Sequence, residues 1–373
     1  MRRFLLLIMI VVIGYASKPY WEKPVQQFIP TAVKDSFRSA IESIKENHEF
    51  KLALETLGQQ FDTIMESFDN KLSESNDNKA EPPILTDPTN QLFSIHNIEL
   101  GDSKADVEQK TGEPKRSSIN EYGVSWNTYH ENYQNFIMVA YDENNIVRGL
   151  YTNQDLMAST IGIKRGSPKQ LVQDELGTPE SSIRKGFTNY MINSNGEYDV
   201  FKLDNSYVTI FYDIHENNTV TAIQVIDEKL ERDKAAFYGE PSQQLKEGFE
   251  YQLFDLTNAT RVNHELSILT WDDHVRETAR GHSLDMAENQ YFGHTNLRGQ
   301  SPFDRMEEDN INYRTAGENL AYGQSSSIFA HEGLMNSLGH RKNILQDHYK
   351  KLGIGVAFNH ESQPYYTEMF YSD

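Results

Sequence analysis

The apolar positions change rhythm several times along the chain, and each rhythm predicts a different element. Residues Phe4 to Ile13 are uninterruptedly apolar behind Arg2 and Arg3, and the stretch fades through Gly14–Ala16. Two arginines ahead of a short apolar core make an export signal, with Gly14 and Ala16 near a cleavage point. Left uncleaved, residues 1–17 form a membrane anchor with Tyr15, Tyr20 and Trp21 at the interface. Next come Val33, Phe37, Ile41 and Ile44, then Leu54, Leu57, Phe61, Ile64, Phe68 and Leu72. Their spacing of three and four predicts amphipathic helices over 30–72, a stalk or a face packed on a neighbour. SESNDNKAEPPILTDPTN follows, so 73–91 reads as a solvated linker.

Beyond the linker the pattern recurs. Ile98, Gly101, Lys104, Val107, Gly112, Pro114 and Ser117 are matched, each 65 positions on, by Ile163, Gly166, Lys169, Val172, Gly177, Pro179 and Ser182. Each unit predicts a short strand and a short helix capped at Asp102 or Ser167. The helix stops at Gly112 or Gly177, with proline two residues later. NFIMVAYDENNIVRGLY and YVTIFYDIHENNTVTAIQV each place Glu-Asn-Asn between apolar runs, which predicts a hairpin. The reading is a duplicated α+β domain over 92–230, with repeats at about 95–155 and 160–228. Two copies are too few for a solenoid, which needs about three or more. No catalytic constellation occurs in it. His130 and His215 are not at equivalent positions and read as surface. Tyr122, Trp126, Tyr129 and Tyr133 read as sheet packing, with carbohydrate stacking as the functional alternative.

From Phe249 the period is helical again, through Leu253, Leu256 and Val262. A second helix covers WDDHVRETARGHSLDMAENQYF, and a loop with His294 follows. Ser301 caps a third helix with Pro302 at its first position. AGENLAYG holds Glu318, and a fourth helix over about 328–337 leads to Gly339-His340. KLGIGVAF and PYYTEMFYSD alternate as strands. Helices flanking a small sheet predict an α/β/α sandwich for 248–373.

Composition narrows the function. With 55 acidic and 35 Lys plus Arg residues the formal charge is -20. That repels phosphate backbones and excludes a general electrostatic nucleic-acid surface. It leaves membrane contact to the N-terminal segment alone. The chain has no cysteine, so disulfides, thiolate metal sites, cysteine nucleophiles and a lipoprotein signal are excluded together.

HTNLRGQSPFDRM, AGENLAYG, LMNSLGHRKNIL and KLGIGVAF, in that order, resemble the bacterial branch of the CAP superfamily. That superfamily includes cysteine-rich secretory proteins, insect antigen 5 and plant pathogenesis-related proteins. The duplicated segment is similar to the CAP-associated N-terminal domain of Bacillus-type proteins. The resemblance implies an α+β multidomain chain whose C-terminal sandwich has the CAP fold, secreted or anchored on the extracytoplasmic side. It further implies that two histidines and two acids from separate segments line a cleft. By motif these are His294, Glu318 and His340. Ser337 stands in the slot of the second acid and Leu334 in that of a tryptophan. Glu332 lies about 12 Å from His340 along a continuous helix and is a poor substitute.

Two imidazoles and a carboxylate can act in three ways. They can hold Zn²⁺ or another divalent cation, with His294 and His340 as ligands. They can perform acid–base chemistry without a metal. Or they can fasten loops. His282, two turns from His274, reads as helical surface, and His331 as a solvated helix start. Ser301 reads as a cap, Arg341 and Asn343 as fixing loop geometry, and Asn319 as support for Glu318. The functional expectation is a non-enzymatic cell-envelope module that binds a small, lipidic, peptide or glycan ligand or a cell-wall component, with Zn²⁺ or another divalent cation as the one cofactor these residues suggest. The alternative is a His/Glu-dependent hydrolase or peptidase, metal-assisted or not. A third reading makes the duplicated domain an interaction or wall-binding platform.

Overall fold

The computed structural model describes residues 80–373. The export or anchor segment, the helices expected over 30–72 and the start of the linker lie outside the described residues. Residues 80–91 carry no regular element, yet they are fastened down. Glu99 accepts hydrogen bonds from the backbone of Thr89, Asn90 and Gln91 and from the Thr89 hydroxyl. Asn135 donates to the carbonyl of Glu81 and Asn97 to that of Ile84. The linker's C-terminal part is therefore a strap on the domain, not a free tether.

The following domain has strands β1 (Phe93–Ile95), β2 (Arg116–Ile119), β3 (Ser125–Glu131), β4 (Gln134–Tyr141), β5 (Val147–Thr152) and β6 (Met157–Ser159). Then come β7 (Ser182–Lys185), β8 (Thr188–Met191), β9 (Tyr198–Leu203), β10 (Ser206–Asp213) and β11 (Thr219–Asp227). Seven of them form one antiparallel sheet in the order β2-β3-β4-β5-β11-β10-β9. The two meanders meet edge to edge, with Gly149 of β5 opposite Ile226 of β11. Helices α1 (Lys104–Thr111) and α2 (Lys169–Leu176) keep the 65-residue offset. They start one residue later than the sequence suggests, at N-caps Ser103 and Pro168, and end at Gly112 and Gly177. Those glycines have φ of 75° and 78°, a region costly for a residue with a Cβ. The β7–β8 hairpin then pairs only with itself: β7 is the counterpart of β2, with Ser182 matching Ser117, but it leaves the sheet, and β8 has no counterpart between β2 and β3.

Alternation along the strands serves two cores. Ile137, Val139, Leu150, Val208, Ile210 and Val225 pack with Val107 of α1 and Val172 of α2. On the opposite face Trp126, Met138, Tyr151, Phe211 and Ile226 join Leu245, Phe249, Leu253, Ile328 and Leu334 of the C-terminal part. Trp126, Tyr129 and Tyr133 are buried, as sheet packing requires, whereas Tyr122 is half-buried with its hydroxyl on Glu231.

Helix α3 (Glu228–Asp233) leads into α4 (Gln243–Asn263), β12 (Thr270–Trp271), α5 (Asp273–Asn289), α6 (Pro302–Glu308) and β13 (Thr315–Tyr322). Helices α7 (Ser327–Asn336) and α8 (Leu338–Ile344) and strands β14 (Lys351–Phe358) and β15 (Pro364–Ser372) complete the chain. The sheet order is β12-β14-β15-β13. KLGIGVAF alternates because β14 is squeezed between helices. A Cβ at Gly353 would lie 2.4 Å from the Arg276 amide, and one at Gly355 2.1 Å from that of Arg280, both on α5. Leu352, Ile354 and Val356 face the other way, into the core holding Leu253 and Leu256 of α4. The result is an α/β/α sandwich. Helix α4 lies between this sheet and the larger one, which explains why every residue from Gly248 to Arg261 except Tyr251 is buried. At Gly248 a Cβ would meet the Ile119 carbonyl oxygen of β2 at 2.0 Å.

Candidate functional site

Strand β13 places the Glu318 carboxylate, whose side chain is only 1% exposed, under a loop and beside a helix. His294 Nδ1 is 2.9 Å from Oε1, and Arg305 Nη2 donates to Oε2 at 2.5 Å. Both oxygens are thus engaged. Arg305 also donates to the carbonyls of His294 (2.9 Å) and Gln300 (3.1 Å), so one guanidinium fixes the acid and the loop carrying the histidine. The position of α6 follows from its start, where Ser301 and Asp304 form a capping box with Pro302 in the first turn. Ser301 is a cap, as its sequence context suggests.

His282 holds the loop from below. It is buried on α5, with Nε2 3.0 Å from the Gly293 carbonyl. Burial lowers its pKa, Glu318 opposes that shift, and Arg305 adds to it. The helical-surface reading of His282 is corrected: the helix turns it inward against the His294 loop.

The GEN segment is braced from the other side. Asn343 of α8 donates to the Asn319 side-chain oxygen (2.9 Å) and the Glu318 carbonyl (3.2 Å). Asn319, fully buried, donates to Glu368 (2.9 Å) and to the His340 carbonyl (3.2 Å). Glycine precedes Glu318 because a Cβ at Gly317 would lie 2.3 Å from the Tyr349 hydroxyl. These bonds tie α8 and its His340 to β13. His340 is half-buried and its pKa is lowered, first by burial and then by the charge of His294. The two imidazoles therefore share one electrostatic neighbourhood beside Glu318, and the His294 side chain is 53% exposed to solvent.

Other residues go elsewhere. The helix over 328–337 is not continuous with His340: α7 stops at Asn336, and Ser337 sits at the junction without capping either helix through its side chain. Glu332 turns away from the cleft and accepts a 2.6 Å hydrogen bond from Tyr151 of β5, with burial raising its pKa to about 7. His331 is not a solvated helix start. It is fully buried against the Thr260 hydroxyl at 2.6 Å, and burial lowers its pKa to about 3. Arg341 does more than fix a loop, pairing with Asp213 of β10 at 2.7 Å. His130 stacks on Tyr133 at 4.1 Å, and burial lowers its pKa to about 4. The exposed His215 ring reaches the Asn336 carbonyl at 3.0 Å.

The metal reading of His294 and His340 lacks a third protein ligand. Glu318 has both oxygens committed, one to a guanidinium, and Ser337 supplies no carboxylate. Among the described residues no group of three or more His, Asp or Glu side chains is placed to hold an ion. Zinc sites use at least three protein donors, so these residues do not fit one. What they do form is a clamped carboxylate that orients an exposed imidazole, with a second imidazole nearby.

The sequence reading passed over Arg305 and Gly317 and misplaced His282. Arg305 was inside the quoted cap motif, but nothing in local spacing says that it reaches a strand residue 13 positions on.

Comparison with known proteins agrees with this architecture. Residues 100–238 match the family described as CAP-associated N-terminal, and 254–370 match the cysteine-rich secretory protein family. The uncharacterized membrane protein YlbC of Bacillus subtilis is 29% identical over 327 residues, 80% of this chain and 91% of that protein. YkwD of the same organism is 39% identical over 122 residues, 33% of this chain and 46% of that protein. The crystal structure of an extracellular SCP-domain protein from Bacillus anthracis matches with a TM-score of 0.64 and 25% identity, covering 79% of this chain and 99% of that one. A cysteine-rich secretory protein from Staphylococcus aureus shares the fold, with a TM-score of 0.59 and 16% identity over 77% of this chain and 97% of that one. No helix among the described residues is long and apolar enough to cross a membrane. The chain belongs to the Bacillus-type CAP proteins, in which a CAP-associated N-terminal domain precedes a CAP domain.

Proposed function

We propose that this protein acts outside the cytoplasm as a non-enzymatic binding module of the cell envelope, and that the CAP cleft takes its ligand against His294 and His340. The observation that carries this reading is the state of Glu318. A carboxylate gripped at 2.9 Å by an imidazole and at 2.5 Å by a guanidinium is committed to structure, not free to take a proton from a substrate. Ser337, three residues before His340, lies in no nucleophile-plus-base arrangement of the kind that acyl transfer needs. The grip leaves His294 rigid and exposed, which suits recognition by hydrogen bonding. The arginine-led apolar N-terminus supports export, and one relative is named a membrane protein and another extracellular.

The test is a binding screen of the full chain against lipid vesicles, short peptides and wall glycans, read by thermal shift and calorimetry. A cleft ligand is expected to be lost in a His294→Ala/His340→Ala double variant. Turnover of any peptide or wall substrate that disappears in Glu318→Gln would instead establish the hydrolase reading. Ligand binding indifferent to both histidines would remove the cleft from the function.

A further inference from the structure

Apart from the cleft, the molecule has a cavity of about 330 Å³ on the face of the seven-stranded sheet that carries Phe211 and Ile226 toward the CAP domain. Volumes of about 300–1,000 Å³ are typical of small-molecule sites. The break in the repeat creates this one. In the first half the Lys115 amide donates to the Thr128 carbonyl at 2.7 Å, and β2 then runs on beside β3. In the second half Glu180 makes the same start on the Val200 carbonyl, also at 2.7 Å, but β7 then leaves β9. Lys185 at the end of β7 reaches Glu231 of α3 at 2.6 Å and the Lys234 carbonyl at 3.1 Å instead. The hairpin is thereby held across from the sheet face. Its Ile183 and Tyr190 line the space with Tyr198 and Tyr207 of the sheet and Phe329 of the CAP domain.

The charges around this space do not balance. Lys185 and Lys234 both pair with Glu231, at 2.6 and 3.7 Å, and Lys234 also faces Glu121. Those two lysine side chains are only 4% and 9% exposed, so neither cation is left over for a ligand. The carboxylates are in excess. Glu197 lines the cavity half-buried, and its carboxylate has no hydrogen bond or ion pair among the described residues. Burial raises its pKa with no cation opposing the shift. The Tyr198 hydroxyl is raised too, by burial and then by the Glu197 charge, so that carboxylate lies on the Tyr198 side of β9, where the cavity is. Glu332 lines the cavity as well. One of its oxygens takes the Tyr151 hydroxyl, and it forms no ion pair among the described residues.

The walls between are aromatic. Tyr190 and Phe237 stack at 5.9 Å, and Tyr198 meets Phe329 edge-on at 5.1 Å. Lys234 covers the ring of Tyr122 at 4.7 Å and Lys202 that of Tyr207 at 5.8 Å. Among the described residues no lysine or arginine covers Tyr190, Tyr198 or Phe237 in this way.

We infer that this cavity is a second binding site and that it takes an alkylammonium group, with the cation on Glu197 and its methylene stem against Tyr190, Tyr198 and Phe237. A carboxylate beside aromatic faces attracts a cation through both. The formal charge of -20 concentrates such ligands near the chain. A neutral ligand would cover Glu197 without pairing it, and an anion would be repelled by it. A lysine side chain of a peptide and a free amine both carry this group.

The probes are Nα-acetyl-lysine methylamide, its uncharged analogue Nα-acetyl-norleucine methylamide, and the free amine diaminopentane. Each is titrated into the full chain and read by calorimetry and saturation-transfer NMR. The blocked lysine is expected to bind saturably, about tenfold more tightly than the norleucine compound. Diaminopentane binding more weakly than the blocked lysine makes a peptide the source of the group, and binding as well or better makes it a free amine; both support the site. Glu197→Gln is expected to weaken lysine binding by about tenfold with unchanged melting temperature, and Tyr190→Ala by about fivefold. Glu175→Gln, at an exposed carboxylate of α2 outside the cavity, is expected to change nothing, which controls for the general attraction of an acidic chain. The His294→Ala/His340→Ala variant is expected to bind as the native chain does, which separates this site from the cleft. No saturable binding, equal binding of the norleucine compound, full affinity in Glu197→Gln, or an equal loss in Glu175→Gln would each overturn the inference.

Discussion

The cleft and the seam between the domains use neighbouring residues of one motif in opposite ways. In LMNSLGHRKNIL, His340 belongs to the half-exposed cleft beside Glu318, whereas Arg341, the next residue, crosses to Asp213 of the other domain. Glu332, one helix earlier, crosses as well, to Tyr151. The cleft is polar, clamped by short-range bonds and open to solvent. The seam is mostly buried, and its core mixes side chains of both domains. A motif that looks dedicated to a site is therefore half interface. The CAP domain and its N-terminal partner share a core and should behave as one folding unit.

That contrast can be broken most severely at the seam's tightest point. Gly248→Ala drives a methyl into the Ile119 carbonyl, and overpacking of this kind should cost about 3 kcal/mol or more. Chemical denaturation should show both domains destabilised in a single transition. Two separate transitions would mean that the domains are independent after all. The next effect is Arg341→Ala, which leaves Asp213 buried without its partner. The expected loss is about 3 kcal/mol, against less than about 1 kcal/mol for His340→Ala at the adjacent position. Equal costs at 340 and 341 would erase the distinction drawn here.

A third test uses acidity. Glu332 and Glu368 are fully buried, and burial raises each pKa from 4.5 to about 7. Between those values the folded chain keeps protons that the unfolded chain has released. The stabilisation is fully present below about pH 4.5 and is lost as pH rises through about 7. Melting temperature should therefore fall by a few degrees between about pH 5 and pH 8 through these groups. Glu332→Gln, which keeps an acceptor for Tyr151, should flatten part of that slope, and a variant with the native slope would show that Glu332 stays ionised. The smallest expected effect is at the cleft's exposed edge. His294→Ala frees one oxygen of a Glu318 carboxylate that Arg305 still pairs, and should cost about 1 kcal/mol, measured by thermal melts, while removing the ring that faces a ligand.

Much of this architecture is legible in residue patterns because it is local. Helix α1 could be placed within a residue from Val107 and Gly112, and α6 from Ser301 and Pro302, since caps and positive φ act over one turn. Even the glycines of KLGIGVAF signal a strand approached closely on one face. Motif order alone also named His294, Glu318 and His340. The failures are all of one type. His282 and His331 were assigned to surfaces, and Arg341 to a loop, because helical spacing tells which residues share a face without telling what that face meets.

By itself, then, the chain determined its secondary elements, the breaks between them, the acidic character that rules out a phosphate-binding surface, and three polar residues worth watching. Tertiary structure alone decided their partners: Arg305 on Glu318, Tyr151 on Glu332 across 181 positions, Asp213 on Arg341 across 128. The reason is physical. Backbone propensity and capping are settled within a few residues, whereas the charge, burial and pKa of a side chain depend on groups that only the packing of distant segments brings near it.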